Sequence, residues 1–134
     1  MRTLERDSGF RKMKNQIIVV IMSKIHPIWE QESGMTFRQG SHWSLENELR
    51  CLLIFKQLEE AGWVRGLQAR LCGELASQSP LGVSTIQRKV SDYKGLAGFI
   101  KATHRSNGSA IVYKTCGALD SGKISQIIET RPNG

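Results

Sequence analysis

Residues 79–95, Ser-Pro-Leu-Gly-Val-Ser-Thr-Ile-Gln-Arg-Lys-Val-Ser-Asp-Tyr-Lys-Gly, constrain this chain more than any other stretch. Pro80 and Gly82 form a turn. Ser84 follows as a helix N-cap, with Gln87 at the spacing of a capping box. Ile86, Val90 and Tyr93 recur at i, i+4 and i+7, so they share one face of a helix expected over 85–94. The other face reads Thr85, Gln87, Arg88, Lys89, Ser91 and Asp92. A short turn, an apolar underside and a top bearing cations and an amide form the pattern of a helix that lies in a DNA groove.

Charge supports that direction. The chain has 134 residues, enough for one domain, and a formal net charge of +7. Residues 42–60 carry Arg50 and Lys56 against Glu46, Glu48, Glu59 and Glu60. Residues 61–116 reverse the balance, with Arg65, Arg70, Arg88, Lys89, Lys94, Lys101, Arg105 and Lys114 against Glu74 and Asp92. A segment so biased suits a polyanionic partner.

Around the basic segment the pattern is helical, and the expected class is mainly α. Ser44 caps a first helix over 45–61, whose stripe is Leu45, Leu49, Leu52 and Leu53 and whose stop is Gly62. Leu67, Leu71 and Leu75 mark a second helix over 67–78. With 85–94 these form a tri-helical helix-turn-helix core. After Gly95 and Gly98, residues 99–105 read either as an extended wing or as a helical turn. Ala110-Ile111-Val112-Tyr113 passes as a strand on propensity or as a fourth helix. Ile124, Ile127 and Ile128 define a last short helix, and 131–134 are tail. No internal repeat is found.

Residues 1–35 read as a loosely structured leader, with the domain over 36–130. The apolar run Ile17–Met22 is too short to span a bilayer and lacks a small-residue cleavage site after it. It reads as a single strand or as an appendage to a domain starting at Met22 or Met35. Cys51, Cys72 and Cys116 are odd in number and form no CxxC, which argues against a disulfide framework or a zinc site. Cys51 and Cys72 fit small core positions. A reduced, cytoplasmic protein without membrane association is expected.

The candidate nucleic-acid contacts follow from side-chain chemistry. Gln87 pairs with adenine through its amide, and Arg88 and Lys89 reach guanine acceptors or phosphates. Thr85 and Ser91 bond phosphate oxygens, while Arg70, Lys94, Lys101 and Arg105 anchor the backbone. Trp29, Trp43 and Trp63 do not interleave with the basic cluster and read as core or lid, not as base-stacking platforms.

Three segments together resemble a known module. They are His42-Trp43-Ser44-Leu45-Glu46-Asn47-Glu48-Leu49, then Ala69–Ala76, then Val83–Tyr93. This arrangement is similar to the helical N-terminal module found ahead of HNH-type nuclease domains and in related bacterial and phage restriction or defence proteins. That module opens with Trp-Ser/Thr-x-x-Glu and has a Ser-Val-x-x-Lys-x-x-Asn-Phe-like helix, where this chain has Asp92-Tyr93 in the last two places. Arg105-Ser106-Asn107-Gly108-Ser109 looks like its Ser-Asn-x-Ser element. The resemblance covers roughly 40–130, implies nucleic-acid recognition, and tips 110–116 toward helix.

No nuclease half accompanies the module. His26, His42 and His104 lie far apart without neighbouring ligands, and HExxH, P-loop, GxSxG and GxGxxG motifs are absent. No enzyme activity, metal or cofactor is expected. The expected function is a DNA-binding regulator or targeting module, carried by a phage or mobile element. The rival is a protein-interaction module whose acidic first helix or Ile-rich last helix docks a nuclease or a host defence protein.

Overall fold

The computed structural model describes residues 29–101 and 106–131. Among these the protein is helical, with five α-helices and no strand. The first, α1 (Leu45–Glu60), is the centre of the fold. Leu45, Leu49, Cys51, Leu52, Ile54, Phe55 and Leu58 are all buried, which wraps apolar surface around most of its circumference. A helix buried all round needs neighbours on several sides. It has them in α2 (Leu67–Gln78), α3 (Val83–Leu96), α4 (Asn107–Cys116) and α5 (Ser121–Glu129).

Capping sets where three of the helices begin. Ser44 Oγ accepts from the Asn47 amide at 3.2 Å, Ser106 Oγ from Ser109 at 3.1 Å, and Asp120 Oδ1 from Lys123 at 2.9 Å. Glu32 adds a second cap to α1, its Oε2 accepting from the Leu45 amide at 2.7 Å. α3 is different. It begins at Val83, with Gly82 extended before it and no side-chain cap. The capping box expected from Ser84 and Gln87 does not form. Leu81 and Ile86 are both buried, the spacing of a hydrophobic staple, and this anchors the first turn two residues ahead of the expected start.

The last helix runs antiparallel to the first. Glu60 at the end of α1 accepts from the backbone and hydroxyl of Ser121 at 2.8 and 2.7 Å. Arg131, just after α5, reaches Glu46 in the first turn of α1 at 3.1 Å. Ile124 and Ile127 are buried, completing the core. The segment 110–116 is helical and starts earlier, at Asn107, because Ser106 supplies a cap that strand propensity does not count.

The expected leader ends sooner than 35. Residues Gln31–Gly34 form a 3-10 turn, Met35 is buried, and Trp29 and Phe37 pack on the core. The expectations for the run Ile17–Met22 fall outside the described residues, as do residues 102–105 of the expected wing. No helix among the described residues is long and apolar enough to cross a membrane.

Candidate nucleic-acid interface

α3 packs against α1, α2 and α4, so it has two covered flanks as well as a covered underside. Ile86, Val90 and Tyr93 form the underside, all fully buried. Gln87, Ser91 and Lys94 recur at i, i+4 and i+7 on one flank and are half-buried. Lys94 Nζ there donates to Gln68 Oε1 of α2 at 2.8 Å. What remains outward is a narrow strip, and its exposed polar members are Ser84, Thr85 and Arg88.

Lys89 lies on the other flank and corrects the sequence reading. It is 6% exposed, and its ammonium donates to Glu48 Oε1 at 2.8 Å, Ser109 Oγ at 2.8 Å and Ser106 Oγ at 3.1 Å. The same ammonium lies 4.4 Å from the centre of the Trp43 ring. Three donated bonds satisfy an ammonium completely. Lys89 therefore has no hydrogen left for a phosphate or a base. Heptad-like spacing identified the underside of α3 correctly, but it could not show that α4 closes over one flank.

Glu48 is the other half of this junction, 1% exposed. Its Oε2 accepts from Tyr93 at 2.6 Å and from Ser109 at 3.1 Å. Burial and the adjacent Glu48 charge together push the Tyr93 phenol well above its ordinary range, so it stays a donor. Gly108 makes the close approach possible: a Cβ there would stand 3.3 Å from both Glu48 Oε1 and Phe37 Cε1. Buried Lys89, Tyr93 and Ser109 thus meet Glu48 inside the molecule, with half-buried Trp43 and exposed Ser106 at the edge of the junction. Those residues join α1, α3 and α4, and they do not form an outward face.

The other sequence candidates are dispersed. Arg70 is exposed on α2, 3.8 Å from Glu74, and Lys101 is exposed beyond α3. Arg105 lies outside the described residues. The surfaces of the rival reading are also largely used. The carboxylates of α1 engage Arg50, Arg131, Lys56, Lys89 and Ser121, and the isoleucines of α5 face the core.

Sequence reasoning missed an aromatic corner. α1 and α3 both end in a Schellman motif with a left-handed glycine, Gly62 at φ 75° and Gly98 at φ 85°. Trp63 N donates to Leu58 O and Phe99 N to Lys94 O, both at 2.9 Å. The residue after each glycine is aromatic, and the two rings meet with centroids 5.2 Å apart, both also against Phe55. Lys94 Nζ sits 5.2 Å over Trp63. Trp63 is 37% exposed and Phe99 52%. Trp63 itself is left-handed, at φ 61°, a conformation that costs a side-chain-bearing residue about 1–2 kcal/mol. Trp29 and Trp43 do pack on the core, as expected; Trp63 stands apart from them.

The three thiols are buried, and burial raises each of them, Cys116 to about 11. A thiol so placed is a poor nucleophile at neutral pH. Among the described residues no group of His, Cys, Asp or Glu is arranged to hold a metal. Comparison of the chain with protein-family models, with curated proteins and with solved structures finds no match.

Proposed function

We propose that this chain binds nucleic acid, DNA in the first instance, with the outward strip of α3. In this reading α2, the 79–82 turn and α3 act as a helix-turn-helix, and the protein is a regulator or a targeting module for a separate effector. The observation that carries it is the position of Arg88: exposed, central on the strip, and neighboured by exposed Ser84 and Thr85. Gln87 and Ser91, both half-buried, lie on the neighbouring flank of α3. The uncapped start of α3 adds backbone amides that favour an anion. Net charge of +7 supplies long-range attraction.

Lys89 has no part in this interface, so Arg88 bears the direct readout and Arg70 and Lys101 the phosphate contacts. The test is a fluorescence-anisotropy titration of duplex DNA at two salt concentrations. Arg88→Ala should weaken binding about tenfold, the worth of one good base contact, with the fold unchanged. An Arg88→Ala protein that binds as tightly as the parent rejects the interface.

A further inference from the structure

The aromatic corner is built from a short sequence echo. Ala61-Gly62-Trp63-Val64-Arg65 ends α1, and Ala97-Gly98-Phe99-Ile100-Lys101 ends α3. Each reads alanine, glycine, aromatic, β-branched aliphatic, cation. The alanine and glycine complete the helix end, and the fold brings the two ends together through the Trp63–Phe99 contact. The last three residues of each unit are not consumed by the core. Trp63, Val64, Phe99 and Ile100 are exposed large hydrophobics, and Arg65 and Lys101 are exposed.

Neither unit contains a carboxylate, and Lys94 adds a third cation directly over the Trp63 ring. Lys94 has a structural reason to be there, because the last turn of a helix favours a cation. Arg65 and Lys101 lie beyond their helices and have none. Exposed rings bordered by cations match a ligand that pairs flat apolar faces with regularly spaced negative charge. A second copy of this chain would bring the same cations and be repelled. Nucleic acid with unstacked bases has the required chemistry, since rings take bases and cations take the adjoining phosphates.

We propose that the corner where Trp63, Phe99 and Lys94 meet, together with exposed Arg65 and Lys101 two residues beyond the aromatics, binds unpaired nucleotides. The inference rests on the nucleic-acid reading above and extends it from duplex to single-stranded or locally opened substrate. Lys94 and Arg88 are six residues apart on α3, about 9 Å along the helix. A strand end or a bulge next to a bound duplex can therefore reach the corner.

The experiment titrates the full chain with labelled oligothymidine of about 16 nucleotides, and with a duplex of equal length, by anisotropy. Trp63→Ser with Phe99→Ser should weaken oligothymidine binding about tenfold or more while leaving duplex binding little changed. Because that variant touches Phe55, circular dichroism checks its fold, and Arg65→Gln with Lys101→Gln serves as a second variant that spares the packing. The second variant should lower the slope of log affinity against log salt by about 1.4, two phosphate contacts on a single strand. Unchanged oligothymidine affinity in both variants overturns the proposal. So does polyglutamate competing as well as oligothymidine, which would assign the corner to acidic protein segments. Oligothymidine binding that is indifferent to the corner variants, with duplex binding lost in Arg88→Ala, sinks this inference and spares the α3 interface; failure to bind either nucleic acid sinks both.

Discussion

The junction around Lys89 and the corner around Trp63 invert the usual partition of a soluble protein in opposite ways. At the junction an ammonium and a carboxylate lie inside, 2.8 Å apart and almost dry. At the corner two large rings lie at the surface, one of them on a left-handed backbone. The junction is closed: Lys89 and Glu48 have their hydrogen bonds within the molecule. The corner is open, since its rings stay 37% and 52% exposed despite packing on each other and on Phe55. A buried ion pair is weak evidence for stability but exacts a severe penalty when one member is removed. An exposed ring contributes little to stability, so its removal should leave the fold nearly intact. The comparison separates residues that specify the fold from residues available for function, and the neighbours Lys89 and Arg88 fall on opposite sides of that division.

The contrast can be broken first at Glu48. Glu48→Ala strands Lys89 and should cost about 3–5 kcal/mol in urea denaturation. Replacing both members, Glu48→Leu with Lys89→Met, should cost less than the single change; an additive or larger loss would mean the pair acts by more than mutual neutralisation. Alkaline titration comes next. Cys116, held at about 11 against an ordinary 9.0, favours the neutral thiol in the folded state. Its contribution is full below pH 9 and is lost as pH rises toward 11, at most about 2–3 kcal/mol. Cys51 and Tyr93 are raised too and act in the same sense, so Cys116→Ala should flatten the decline only in part. A flat stability curve from pH 8 to 11 would contradict the buried placement of all three groups.

Smaller effects sharpen the same division. Gly108→Ala presses on Glu48, which is held from several sides and cannot yield, and should cost about 1–2 kcal/mol by thermal or chemical denaturation. Phe99→Ser at the corner should cost less than about 1 kcal/mol, since half of that ring already faces water. Arg88→Ala should change stability by no more than about 0.5 kcal/mol, as a surface substitution with no buried partner. A destabilisation of Arg88→Ala comparable to that of Glu48→Ala would erase the distinction between the two neighbours.

Much of the helical fold was legible in the sequence. Ser44, Gly62 and the leucine spacing located α1, and Leu67, Leu71 and Leu75 located α2, because caps and apolar period are local signals. The site was less legible. Periodicity tells which face of α3 is apolar but not how many neighbours flank it, so Lys89 read as outward when α4 encloses it. Glu48 read only as one acidic residue of the first helix, although its partners lie 41 to 61 positions further on. The corner had a local signal after all. Gly62 and Gly98 each precede an aromatic at the end of a helical pattern, and an unspent aromatic beyond a glycine stop marks a ring that the helix does not need.

The antiparallel clasp of α5 on α1 has a consequence for biosynthesis. Ribosomes deliver the central helix before the isoleucines that shield it, so the face of α1 that α5 covers has no partner until α5 has been made. Docking of α5, held at its two ends by the Ser121–Glu60 and Arg131–Glu46 contacts, covers that face, and a chain cut ahead of Asp120 should leave it open to proteases and to other chains.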